Sequence, residues 1–194
     1  EPYMNDRQVF HGRGKVLGGS SSINGMIFQR GNPLDYEKWA QDGGMEKWDY
    51  SHCLPYFIKM ENCLASGPPH RGKDGPLHLE RGGGANPLFK AFFEATQQAG
   101  HQRTEDVNGH RQEGFSLFDR NIKKGKRHSA ARAYYHPVKK RENLSLLTNV
   151  TTTKILFEGN KAIGVECVKK GKTEKFYAKE IILCAGAFNT PQLL

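Results

Sequence analysis

Residues 12–28 read GRGKVLGGSSSINGMIF: five glycines and three consecutive serines that pass directly into apolar residues. Gly12, Gly14, Gly18 and Gly19 permit positive φ and close backbone approach. Such a loop can present amide N–H groups to an anion or lie against a flat ring. Two common phosphate loops are excluded. The stretch is not a G-x-G-x-x-G that follows a strand and opens a helix, and Lys15 precedes the glycine pair, where a P-loop has its lysine after the glycines. A Gly/Ser linker is the plain alternative, but Ile23, Met26, Ile27 and Phe28 demand burial that a linker does not give. These residues favour a ligand loop over a linker without naming the ligand.

The other reactive side chains are scattered. His128 and His136 flank SAARAYY, yet no carboxylate stands at a spacing that would support them as metal ligands, so no metal site is expected. DVNGHRQEGF lacks the remaining ligands of a calcium loop and reads as a turn. Cys53, Cys63, Cys167 and Cys184 lie far apart, with no C-x-x-C, and read as reduced thiols of an intracellular protein. Asn143 and Asn149 match the glycosylation pattern, which carries no weight without a secretion signal. Phe115, Phe118, Tyr134 and Tyr135 fit either a wall for a cationic substrate or plain core. The net charge of +9 invites a polyanion partner. Its knots at Lys123, Lys124, Lys126, Arg127 and at Lys139, Lys140, Arg141 carry no RNA-binding or zinc-finger signature. Nucleic acid is therefore not expected as a partner. Solvated loops are the preferred reading, ahead of contact with an anionic lipid or a cofactor phosphate.

The elements around the loop follow from periodicity and punctuation. Apolar spacing predicts short helices over Asp35–Ala40 and Tyr50–Cys63, the second with Ser51 as cap and Pro55 in its early turns. The Gly/Pro-rich stretch after Cys63 is an extended connector with one edge strand at PLHLE. Asn86 as cap, Pro87 at the first helical position and Gly100 past the end frame a helix over Asn86–Ala99. After Asn143, β-branched segments separated by EGNK and KKGK predict a three-strand meander, then an apolar strand at Glu180–Ala185 and a helix capped by Thr190 with Pro191 first. No apolar run approaches the ~20 residues of a membrane span. The chain starts with Glu and stops one turn into this helix, so it is expected to be an excerpt of a longer protein.

GKVLGGSSSINGMIFQRGNPLDYE resembles the first signature of the glucose-methanol-choline (GMC) family of flavin oxidoreductases, at the Gly-Gly-Ser-Ser core and at Asn24, Phe28, Gly31 and Glu37. GAFNTPQLL resembles the start of that family's second signature. Between them, GPLHLERG, TEDVNGHRQEGF and GKRHSAARAYYHP are similar to the choline-oxidising members. The resemblance implies a mixed α/β fold, part of an FAD-binding domain of the glutathione-reductase type with part of an inserted substrate-binding domain. Residues 1–50 and 145–194 would be FAD-domain segments, and 51–144 the connector and substrate-domain segment. It implies FAD-dependent oxidation of a primary alcohol, choline in the first place, with electrons passed to a respiratory-chain acceptor. The protein would sit in the cytoplasm or peripherally at the inner or cytoplasmic membrane, the mitochondrial inner membrane in a eukaryote. The cofactor contacts carried over are Val16, Gly18, Gly19, Ser20, Ser21, Asn24, Gly25, Met26, Ile27, Thr152 and Gly186. Thr152 departs from the family's usual aliphatic residue at a backbone contact to adenine. Ile23 stands where some members carry the histidine that bonds the flavin, so the implied FAD is non-covalent. The catalytic residues are expected beyond Leu194, none of the eight histidines inherits that role, and the excerpt alone is expected to be inactive. Oxidation of another primary alcohol, or a non-catalytic basic binding module, are the alternatives.

Overall fold

Capping side chains fix where the helices begin. The structure, a computed structural model, describes residues 4–194. A 3-10 turn at Gly19–Ser22 leads into a short strand, β1 (Ile27–Phe28). Helix α1 (Pro33–Ala40) starts two residues ahead of Asp35, because the Asn32 side chain accepts the Leu34 N–H at 2.9 Å and Pro33 takes the first helical position. In α2 (Tyr50–Met60) the cap is Asp49 and not Ser51. Asp49 Oδ1 accepts the His52 N–H at 2.9 Å, while the Ser51 hydroxyl donates to the same oxygen at 2.6 Å. These bonds hold the Asp49 carboxyl down at about 2, with Ser51 the largest cause.

Helix α2 also ends three residues short of Cys63. Glu61–Cys63 forms strand β2, drawn out of the helix by pairing with strand β3 (Leu77–Arg81). After β3 comes α3 (Pro87–Gln98), where the Asn86 side chain accepts the Leu88 N–H at 2.9 Å, as the sequence predicts. Strands β4 (Asp119–Arg120), β5 (Ile122–Lys123) and β6 (Lys126–Arg127) follow. The sheet order is β1-β4-β3-β2, with β2 and β3 parallel and the other pairs antiparallel. PLHLE is therefore not an edge strand: β3 is paired on both sides, and Leu79 at its centre is 0% exposed. The first basic knot is likewise a hairpin, in which Lys124 (φ 51°) and Gly125 (φ 70°) take the two left-handed positions of a tight turn. A single π turn at Ala131–Tyr135 buries Ala131 and Ala133.

The centre of this first unit, which runs to Lys140, is ionic. Among its largest fully buried side chains are Arg71, Glu61 and Asp119. Glu61 Oε1 lies 2.8 Å from Arg30 and 2.9 Å from Arg71 Nε. Arg71 Nη1 reaches Asp106 at 2.7 Å and Asp119 at 2.8 Å, and Arg81 Nε meets Asp119 at 2.9 Å. Three guanidinium groups thus offset three carboxylates, as buried charge requires. Burial pushes the Asp106 carboxyl up, but the Ser66 hydroxyl, the Asn108 amide and Arg71 outweigh it and hold it below its ordinary value. Burial raises the Cys63 thiol.

The second unit spans Arg141–Leu194. Strands β7 (Thr151–Glu158), β8 (Lys161–Lys169) and β9 (Lys172–Tyr177) form the expected antiparallel meander. Gly164 is required where β8 meets β9, since a Cβ there would lie 2.3 Å from the Phe176 carbonyl oxygen. Residues 180–185 are not a strand: among the described residues no strand offers them backbone partners, and Ile182 is 78% exposed. Helix α4 (Gly186–Leu193) begins four residues before Thr190. Thr190 is not its cap; its hydroxyl accepts the Ala185 N–H at 3.2 Å, and Pro191 lies inside the helix. The α4 helix packs against β7.

Candidate functional site: the glycine-serine loop

The loop ahead of β1 is shaped by its own short-range bonds. Gly19 N–H donates to the Val16 carbonyl at 2.9 Å, Asn24 N–H to Ser20 at 2.9 Å, and the Ser22 hydroxyl to Leu17 at 2.8 Å. Gly18 (φ 92°) and Gly19 (φ 54°) take left-handed backbone that side chains resist. Gly14 is required by contact: a Cβ there would fall 2.1 Å from the Gly19 carbonyl oxygen. Asn24 Oδ1 accepts the Met26 N–H at 3.0 Å, which holds Met26 at φ 64°.

What the loop leaves open is as specific as what it closes. Among the described residues the N–H groups of Gly18, Ser20 and Gly25 find no acceptor. A Cβ on Gly19 or Gly25 would meet nothing within 4 Å, so both backbones face open space. Val16, Leu17, Ile23 and Ile27 stay exposed, Ile23 at 53% and Ile27 at 54%. The burial that Ile23 and Ile27 demand is thus not supplied by the first unit. Free amide donors flanked by exposed apolar side chains suit a ligand that is part anion and part flat apolar ring.

The loop is fastened from behind by residues far along the chain. Arg127 Nη1 donates to the Ser21 carbonyl at 3.2 Å, the Asn24 carbonyl at 2.7 Å and Asn24 Oδ1 at 2.9 Å. Ala130 N–H donates to the Ser21 hydroxyl at 2.9 Å, and Asn121 N–H to the Met26 carbonyl at 2.8 Å. Next to Arg127, His128 Nδ1 accepts the His78 N–H at 3.1 Å. Burial and then the charge of Lys123 depress the His128 pKa. Beyond β1, Arg30 N–H meets Asn108 Oδ1 at 2.7 Å, which ties the loop's exit to the ionic centre.

The predicted contact residues do not all fall in one unit. Val16, Gly18, Gly19, Ser20, Ser21, Asn24, Gly25, Met26 and Ile27 are brought together by the loop in the first unit. Thr152 and Gly186 belong to the second unit, on the touching elements β7 and α4. Thr152 pairs with Cys167 on β8, and a register shift follows it before Lys154. Among the described residues β7 pairs only with β8, so its outer backbone edge is open. Gly186 has φ 87° and open space at its Cβ position. Phe115 and Phe118 line a cavity of about 690 Å³ with Gly25, Ile27 and Arg120. Tyr134 lines another of about 390 Å³, so the aromatic wall is divided. The larger cavity is lined by the rings of Phe89, Phe92, Phe93, Phe115 and Phe118 and by Arg120, with no carboxylate among the described residues, so a cation there would meet aromatic faces but no counter-charge.

Sequence reasoning missed Arg127, Ala130 and Asn121 as anchors of the loop. The available signal was the tetrapeptide KKGK, which opens a hairpin at both 123–126 and 169–172 and would have placed Arg127 on a strand.

Known proteins resemble the chain along nearly its whole length. The chain is 59% identical over its whole length to an oxygen-dependent choline dehydrogenase of Staphylococcus xylosus, of which it covers 35%. It is 57% identical to the protein of that name from Staphylococcus aureus strain MSSA476, covering 34%. The chain thus spans about a third of the length of these curated relatives. Among solved structures, pyridoxine 4-oxidase from Mesorbium loti superposes with a TM-score of 0.87 at 34% identity, over 93% of this chain and 36% of that one. An FAD-dependent oxidoreductase from Chaetomium thermophilum gives 0.87 at 30% identity, over 97% of this chain and 35% of that one. The family described as GMC oxidoreductase matches residues 2–194, from the loop through the meander to α4, and the chain belongs to that family.

Proposed function

We propose that the protein carrying these residues oxidises a primary alcohol, choline in the first place, to its aldehyde with FAD as cofactor. The observation that carries the cofactor is the loop's set of unpaired N–H groups beside exposed apolar side chains. Identity of 57–59% over the whole of this chain, about a third of each relative, to proteins named choline dehydrogenase supports the substrate. When bound, FAD supplies the acceptor for the hydride that leaves the alcohol carbon.

The chain's own residues bind and orient. The backbone of Val16, Gly18, Gly19, Ser20 and Ser21, with Asn24, Gly25, Met26 and Ile27, contributes amide donors and an apolar surface that excludes water. Thr152 offers the open edge of β7 to the adenine end, where a backbone contact survives the change of side chain, and Gly186 adds the turn into α4. Residues 1–50 and 145–194 are assigned to the FAD domain, and 51–144 to the connector and substrate side. Ile23 carries no nucleophile, so the cofactor is held without a covalent bond. The base that takes the hydroxyl proton is assigned to the part of the longer protein outside these residues.

The electron acceptor is a respiratory-chain component, with the protein in the cytoplasm or at the membrane surface. The word "oxygen-dependent" in the relatives' names favours dioxygen as a second reading. Among the described residues no helix is long and apolar enough to cross a membrane. Anaerobic titration of the full-length protein with a panel of alcohols is the test. Choline should bleach the flavin band, and acid precipitation should release the flavin into the supernatant. Bleaching by another alcohol but not by choline would refute the substrate, and oxygen uptake during turnover would decide for dioxygen.

A further inference from the structure

The loop's internal bonds set its curl, but they do not fix where it sits. That position depends on few attachments, and most of them come from one short segment. Arg127 supplies three hydrogen bonds from a single nitrogen, two to main-chain carbonyls and one to Asn24 Oδ1. Asn24 Oδ1 is also the oxygen that holds the Met26 N–H, so the guanidinium braces the residue that turns the loop into β1. Ala130 reaches the Ser21 hydroxyl from the same segment.

Arg127 reaches the loop because the β5–β6 hairpin alternates its side chains. Lys126 is exposed, whereas Arg127 is half-buried toward the loop. No carboxylate lies within ion-pair distance of Arg127 among the described residues, so its charge is spent on neutral oxygens of the loop. Charge-assisted bonds of this kind are stronger than neutral ones, and an uncompensated cation behind the loop also favours an anion in front of it.

We infer that Arg127 is a positioning residue of the flavin site: it holds Ser21 and Asn24 so that the loop's amides meet the cofactor. This role rests on the reading of residues 16–27 as the FAD loop. It acts through the loop, and Arg127 itself touches no reacting atom.

The test uses the full-length protein, its Arg127→Gln and Arg127→Lys variants, and Ser21→Ala as an independent cut at the Ala130 attachment. FAD dissociation constants, the vibronic shape of the bound flavin band and the unfolding midpoint of each apoprotein are measured. Arg127→Gln should weaken FAD by about tenfold or more, the range expected for loss of charged hydrogen bonds. Arg127→Lys should recover part of that loss, and Ser21→Ala should give a smaller one. The apoprotein midpoints should stay together, because a half-buried side chain bonded only to an open loop is not part of the packed core. FAD binding unchanged in Arg127→Gln, or weakened only in step with a fall in the apoprotein midpoint, would overturn the role. Failure of the unmutated protein to bind FAD would overturn the loop reading itself, and the role with it.

Discussion

Gly14 shows how a glycine can be needed for space and not for φ. A Cβ at that position would press on the Gly19 carbonyl and lie 2.8 Å from the Ser20 nitrogen, both of them backbone atoms that cannot swing aside. Gly14→Ala must therefore shift Gly19 and Ser20, in the loop proposed to hold the cofactor, at a cost of about 1–3 kcal/mol for an overpacked contact. Gly12 is the control, because a Cβ there meets only the Phe10 ring at 3.2 Å. Purified full-length Gly14→Ala should carry much less FAD per protein than Gly12→Ala. Equal flavin content in the two would show that the contact is relieved elsewhere. The sequence made these glycines legible as a ligand loop but not which one was sterically fixed, since that depends on how the loop folds back on itself.

Hairpins and capped helices were the elements most open to sequence reasoning, and their failures are physical. Helix α3 carries Asn86 and Pro87 in adjacent positions, a local signal that needs no tertiary help. The end of α2 was unreadable because Glu61 leaves the helix to pair with β3 and to reach Arg30 and Arg71, partners 31 and 10 residues away. Residues 180–185 have strand composition but no partner strand among the described residues, and composition cannot supply a ladder. The β5–β6 hairpin was missed although its turn carries the same KKGK that marked the β8–β9 turn, and that turn makes a prediction at this scale. Gly125 has φ 70° with open space around it, so Gly125→Val is strained by its backbone alone, by about 1–2 kcal/mol. Because Arg127 ends the same hairpin, FAD should bind more weakly in this variant, as a dissociation constant will read. Unchanged affinity would mean that the hairpin holds Arg127 without help from its turn.

At the scale of the molecule, the first unit is organised around charge where a domain is usually organised around hydrocarbon. Glu61 takes bonds from Arg30, Arg71 and the Gly72 N–H, so Glu61→Gln leaves two buried guanidinium groups short of a carboxylate. A loss of about 3–5 kcal/mol is expected, read as a fall in the unfolding midpoint. Acid should act in the same direction. The Asp106 carboxyl is held below its ordinary value of 3.8 in the folded protein, so its contribution to stability is present above that pH and is lost as pH falls through the depressed value. A midpoint that does not fall between pH 5 and pH 3 would contradict this. None of the network was visible in the sequence, where its six members lie between residues 30 and 119 among many other charged residues.

The attachments of the loop also impose an order in time. Asn24 is held by a residue 103 positions further on, and Ser21 by one 109 positions further on. On the ribosome, at roughly 5–20 residues per second, the loop is made about 5–20 s before the segment that braces it. During that interval its curl can form but its placement cannot. Cofactor capture by the loop is thereby delayed until the hairpin at 122–127 has emerged and closed, so a nascent chain should become competent for flavin only after Ala130 has been made, although the loop proposed to hold the flavin is made about a hundred residues earlier.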